Sequence, residues 1–120
     1  MTYLTAVLSL IFVLSGGAKL AGLDFEIQAF ERWGYALWFM YATGAVEVAG
    51  GLALWWKRWS AWASAWLSMV MVGAVGTHLL HAEWGMLAVA STILGLSVWR
   101  TWHGFSTLGT GQVPVMAAKA

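Results

Sequence analysis

Apolar residues fall in four runs, and the polar residues between and within them decide what the runs can be. The runs cover approximately residues 2–20, 36–56, 60–82 and 85–102. Each is close to the roughly 20 residues needed to cross a hydrocarbon core about 30 Å thick. Within each run the apolar positions are continuous instead of alternating with period two. A bilayer-spanning backbone must satisfy its own hydrogen bonds, so the pattern predicts helices and argues against a β-barrel. The expected fold is all-α, an integral membrane antiparallel four-helix bundle within residues 1–102. The first run has no basic leading stretch and passes through Gly16 and Gly17 into Lys19 without a small-x-small cleavage site, so it reads as a span and not as a leader.

The connections refine this picture. Lys57-Arg58 and residues 81–83 are short turns that make neighbouring helices antiparallel hairpins. The first connection, residues 21–35, places Leu23, Ile27, Phe30 and Trp33 or Gly34 at helical spacing, with Asp24, Gln28, Glu31 and Arg32 on the other side. That pattern predicts a short amphipathic helix in the first outer loop, lying on the membrane surface or capping the bundle. Residues 103–120 are rich in Gly, Thr and Ala and hold the single proline, Pro114, which predicts a flexible cytoplasmic tail.

Composition agrees with the pattern: 61% of residues are hydrophobic and 9% charged, with mean hydropathy +0.74, outside the range of an average soluble domain. A net charge of +1 with no basic run argues against a nucleic-acid partner. With Cys 0 there is no disulfide, thiolate metal site or dithiol relay. Lys57, Arg58, Arg100 and Lys119 fall on one side of the expected bundle, while Lys19 and Arg32 face Asp24, Glu26, Glu31 and Glu83 on the other, which predicts that both termini are cytoplasmic. Trp55, Trp56, Trp59, Trp62, Trp99 and Trp102 gather at the inner ends and Trp33, Trp38 and Trp84 at the outer ends, as interfacial indole belts require.

The candidate chemistry centres on Glu47, a carboxylate within the second run. An ionised group at that depth costs several kcal/mol unless it is paired or wetted, so it marks a site. Small residues let helices approach in lipid, and Gly44 and Gly51 share a face with Glu47, turning the acid inward. Gly16 and Lys19 form a stripe on the first helix, Met71, Ala74, His78 and His81 on the third, and Ser91 and Gly95 supply a small-xxx-small pair on the fourth. At about 1.5 Å per residue, Lys19 and His78 lie roughly 5 Å inside the outer boundary and Glu47 about 16 Å. Three arrangements stay open: a direct Lys19–Glu47 pair made by reaching side chains, a water-filled gap, or a protonated Glu47. In each, a polar cluster opens to the outer face with Glu47 at its floor and Lys19, His78 and also His81 as candidates above it. His78, His81 and Glu83 lack nameable third and fourth partners for a metal, and no metal site is assigned. No Ser-His-Asp set or phosphate-binding glycine loop is present.

Residues 14–20 (LSGGAKL), 30–35 (FERWGY) and 43–51 (TGAVEVAGG) resemble the DoxX family of small four-helix bacterial membrane proteins. The family's glycine-then-lysine signature matches Gly16 and Lys19, its Gly-x-x-Glu-x-x-Gly signature matches Gly44, Glu47 and Gly50, and its late third-helix histidine matches His78. The resemblance covers roughly residues 3–102. It implies a location in the bacterial cytoplasmic membrane and a role as accessory subunit of a quinone-linked membrane oxidoreductase, with the Lys19/Glu47/His78 cluster holding a quinone-like head group or relaying protons. The redox centre would then belong to another membrane subunit, so the chain is not expected to be catalytic alone or to carry a covalently bound cofactor. A distant branch of the family resembles receptor-assembly chaperones, which gives the alternative of an assembly factor or binding module with no chemistry of its own. Any version of the role that needs a membrane thiol is at odds with this cysteine-free chain.

Overall fold

A computed structural model describes the backbone of residues 2–119 and the side chains of residues 2–106. Those residues form five helices and no strand: α1 (Thr2–Leu20), α2 (Asp24–Trp33), α3 (Leu37–Ala53), α4 (Ser60–Leu80) and α5 (Trp84–Lys119). The all-α class holds. Among the described residues, α1 and α4 are long and apolar enough to cross a membrane, whereas α3 has 17 residues.

Helix ends explain the boundaries. α1 stops where Gly22 takes φ 64°; the Gly22 N–H then bonds the Lys19 carbonyl at 3.1 Å and the Leu23 N–H the Ala18 carbonyl at 3.2 Å, a Schellman pattern that only a residue at ease in the left-handed region adopts without cost. α2 closes in the same way at Gly34. α4 repeats the pattern with a residue that carries a side chain: Ala82 sits at φ 54°, and the Glu83 N–H returns to the His78 carbonyl at 2.9 Å. A Cβ in that region costs about 1 kcal/mol. The turn it makes brings Glu83 back over the end of α4.

α3 ends three residues before the expected boundary at 56, because the Trp55 and Trp56 N–H groups bond carbonyls three residues back, Leu52 at 3.2 Å and Ala53 at 3.1 Å, tightening the chain out of α geometry. The Trp55 indole N–H instead reaches Ser9 Oγ on α1 at 2.9 Å. α5 continues past Trp102 as helix, and Gly104 is buried where a Cβ would come within 3.0 Å of the Ala61 Cβ. The rest of the tail expected over residues 103–120 lies outside the residues whose side chains are described.

α1 packs antiparallel to α3, and α4 to α5; the two pairs meet through narrower α3–α4 and α1–α5 seams, and α2 crosses α3 and α1. Leu8, Phe12, Leu54, Ala63, Leu67, Met71 and Ala90 form the core. Outside it the usual polarity is reversed: Ser64, Ser68, Ser97, Glu47 and Arg100 are buried, while Leu10, Leu14, Trp66, Met69, Val72 and Val98 are exposed.

Candidate functional site

The site begins with a backbone contact. Gly16 and Gly44 face each other so closely that a Cβ on Gly16 would lie 2.5 Å from the Gly44 carbonyl oxygen, and one on Gly44 would lie 2.8 Å from the Gly16 carbonyl oxygen. Gly51 repeats the approach further along, where a Cβ would be 3.3 Å from the Ser9 carbonyl oxygen. These three glycines take the packing roles that their spacing predicts. Ser91 and Gly95 do not: both are exposed, and a Cβ on Gly95 would meet nothing within 4 Å. The seam on α5 runs through Ala90, Ser97, Arg100 and Gly104, all buried, and helical phase puts Ser91 and Gly95 on the other side of it.

Glycine contact between α1 and α3 brings Lys19 beside Glu47. Of the three arrangements left open by depth alone, the direct pair is the one formed: Nζ lies 3.1 Å from Glu47 Oε1. Side chains on a helix lean toward its N-terminus, and Lys19 follows that lean, donating to Ser15 Oγ one turn deeper at 2.9 Å instead of extending outward. The same Nζ lies 3.6 Å from Glu26 Oε2 on α2. One ammonium thus serves two carboxylates, both largely covered. Burial pushes the Glu26 carboxyl above its usual range; Lys19 pulls it down, and Glu47 adds to the rise. Glu26 is legible in retrospect, as a charge on the inward flank of the Leu23–Ile27–Phe30 stripe.

His78 belongs to a second group, organised by Glu83. Arg32 donates to Glu83 Oε2 from Nε at 3.1 Å and from Nη2 at 2.6 Å. Oε1 accepts the Trp33 indole N–H at 2.9 Å and faces His78 Nδ1, also at 2.9 Å. Hydrogen bonding from His78, with further help from Arg32 and Trp33, holds the Glu83 carboxyl down at about 2. An ionised carboxylate only accepts, so Nδ1 carries the proton of that pair. His81 joins neither group. It is exposed, and its Nδ1 lies 2.8 Å from the Thr77 carbonyl, which also accepts the His81 backbone N–H at 3.2 Å.

Both groups border one cavity of about 990 Å³, lined by Lys19, Glu26, Glu47, Arg32, Trp33 and His78 among predominantly apolar neighbours. Phe30, Trp33, Tyr35 and Phe39 make a contiguous aromatic roof with ring centroids 5.2–6.3 Å apart. Thr77 donates to the Gly73 carbonyl at 2.9 Å, so the Tyr35 hydroxyl, 2.8 Å from Thr77 Oγ1, is the donor of that pair. The cavity reaches the surface on two flanks: exposed Val46, Trp66 and Met69 line it with the half-buried Thr43 between α3 and α4, and exposed Met86 and Val89 line it on the α5 side. It is a cleft between the α1/α3 and α4/α5 pairs, floored by the Lys19–Glu47 pair and covered by α2. α2 is fastened at one end through Glu26 and at the other through Arg32 and Trp33. Among the described residues, no group of three or more acidic or histidine side chains is placed to hold a metal ion.

Comparison with known proteins adds the following. The family model described as the DoxX-like family matches residues 3–99. The chain is also similar to Uncharacterized protein YdgD of Bacillus subtilis (strain 168), 31% identical over 93 residues that cover 73% of this chain and 82% of that protein. No solved structure matches.

Proposed function

We propose, from the premise that this chain belongs to the DoxX-like family, that it is a multi-pass protein of the bacterial cytoplasmic membrane and an accessory subunit of a quinone-linked oxidoreductase. In this reading α1, α3, α4 and α5 form an antiparallel transmembrane bundle with both termini cytoplasmic. The reversed polarity supports it, since Leu10, Met69 and Val72 are exposed around an interior containing Glu47, Ser64 and Arg100, an arrangement suited to lipid and not to water. Exposed indoles at both ends (Trp38 and Trp84; Trp56 and Trp102) match two interfacial belts.

One observation carries the ligand reading: an apolar cleft of about 990 Å³ opens sideways on two flanks and ends on the Lys19–Glu47 pair. A lipid-dissolved ring with polar oxygens fits that combination, because apolar walls receive the body and a few placed polar groups fix the head. Bound quinone would supply two-electron chemistry, with electrons coming from a partner chain. The residues of this chain would orient and protonate. The Lys19 ammonium would donate toward a ring oxygen, Glu26 would hold an exchangeable proton, and His78, oriented by Glu83, would exchange one through its ring.

Extraction in mild detergent from native membrane, followed by mass spectrometric measurement of quinone per chain, tests this. The expected result is near-stoichiometric quinone in the wild type, a marked loss in Glu47→Gln, and a co-purifying dehydrogenase. A second reading, an assembly factor or binding module, is favoured by the Lys19–Glu47 and Arg32–Glu83 contacts taken as locks on the fold. It predicts no quinone, unchanged behaviour of Glu47→Gln once folded, and a shifting set of immature partner proteins.

A further inference from the structure

At the end of the helices opposite α2 lies a cation with no carboxylate partner among the described residues. Arg100 is 8% exposed, and its Nε donates to Thr5 Oγ1 across the α1–α5 seam at 3.0 Å. Among the described residues this hydroxyl is its hydrogen-bond partner, and no ion pair involves it. The chain's five acidic residues are Asp24, Glu26, Glu31, Glu47 and Glu83, and the nearest along the fold is Glu47. Glu47 packs against Gly16, which is eleven residues beyond Thr5 on α1, a separation of roughly 16 Å. One turn from Arg100 on the same face of α5, Ser97 Oγ is fully buried with no hydrogen-bond partner. Among the described residues the surroundings thus offer hydroxyls and no negative charge.

A buried guanidinium that spends one of its five donors on a threonine is costly unless an anion reaches the others. The geometry limits where that anion comes from. Arg100 Nη1 lies against the Gly104–Ala61 contact, 3.0 Å from where a Gly104 Cβ would be, so Gly104 leaves the guanidinium room at the inner mouth between α4 and α5. Lys57 and Arg58 follow α3 at this same end, and Arg58 stacks on Trp59 with its guanidinium carbon 5.4 Å from the ring centroid. Trp99 and Trp102, which flank Arg100 in sequence, are exposed at the level where indoles meet headgroups.

We propose that Arg100, oriented by Thr5, is a phosphate-binding site filled by the headgroup of an anionic phospholipid of the inner leaflet. The proposal rests on the membrane placement given above but is independent of what occupies the cleft. Arginine suits phosphate because its planar fork presents paired N–H donors. The site ties α1 to α5 through a group drawn from the membrane.

The test uses the purified full-length chain titrated with mixed micelles containing phosphatidylglycerol or phosphatidylcholine. Lipid retention is read by native mass spectrometry at high salt, where Lys57 and Arg58 are screened. The wild type is expected to prefer phosphatidylglycerol by about tenfold or more. Arg100→Met is expected to remove the preference, and Arg100→Lys to restore part of it. Thr5→Val, which keeps the charge and removes its anchor, is expected to lose about threefold; it also serves as the reporter if Arg100→Met does not accumulate. An undiminished preference in either Arg100→Met or Thr5→Val overturns the proposal. Competition with inorganic phosphate separates the sources: failure to displace the lipid supports the headgroup, and displacement at matched affinity overturns it in favour of soluble phosphate. The quinone content of Arg100→Met is expected to stay at the wild-type level, so loss of the lipid site is distinguishable from loss of the cleft.

Discussion

The two ends of the helical array treat charge in opposite ways. Beneath α2 the charged side chains find partners within the chain: Lys19 lies between Glu26 and Glu47, and Glu83 accepts from Arg32 and His78. At the other end Arg100 has, among the described residues, only the Thr5 hydroxyl. The first arrangement is self-sufficient, so a ligand entering the cleft competes with contacts that already exist and can exchange protons with them. The second is incomplete and depends on what surrounds it.

Breaking the self-sufficient end is expected to have the largest effect. Lys19→Met leaves Glu47 buried beside a methionine, which costs about 3–5 kcal/mol. The double variant Lys19→Met/Glu47→Leu removes both charges and should recover most of that loss; thermal unfolding of single and double variants in one detergent measures the coupling. Gly16→Ala acts on the same end without touching charge. Its Cβ would meet a backbone oxygen at 2.5 Å, so α1 and α3 must separate, for about 2–3 kcal/mol, and the Lys19–Glu47 pair should lengthen with them.

Acid offers a third way to separate the ends. The Glu83 carboxyl is held at about 2 against an ordinary 4.5, so the folded state binds fewer protons than the unfolded one between those values. Stability from this group is therefore complete above about pH 4.5 and is lost as pH falls toward 2. Glu83→Gln should flatten that acid limb, followed by thermal unfolding across pH, whereas Arg100→Met should leave it unchanged. The smallest effect has the opposite sign. Ala82 holds a left-handed φ of 54°, so Ala82→Gly should raise stability by up to about 1 kcal/mol, with Glu83 remaining in place against His78.

Much of this architecture is legible in the sequence because it depends on local pattern. The first apolar run coincides with α1, and the Leu23–Ile27–Phe30 stripe with α2. Glycine spacing identifies the Gly16–Gly44 and Gly51 contacts because those residues share a face with Lys19 or Glu47. Spacing fails at Ser91 and Gly95, where a small-xxx-small pair lies off the face that packs. Depth counting puts Lys19 and Glu47 at different levels because it ignores the lean of a helical side chain and the Ser15 hydroxyl that holds it. Glu26 and Glu83 become partners only after α2 folds over the cleft and Ala82 turns the chain back, both consequences of tertiary structure. Arg100 reads as one of several inner-side cations until its burial distinguishes it from Lys57 and Arg58.

The most direct test of the central claim, that the cleft beneath α2 admits a quinone from the surrounding lipid, is photolabelling of the full-length chain in vesicles with a photoreactive quinone and mapping of the adducts by mass spectrometry. The account predicts adducts concentrated on Trp66, Met69, Met71 and Met86, suppressed by excess natural quinone and reduced in Glu47→Gln. Adducts spread evenly over outward residues such as Leu10, Leu14 and Val98, with no competition, would contradict it.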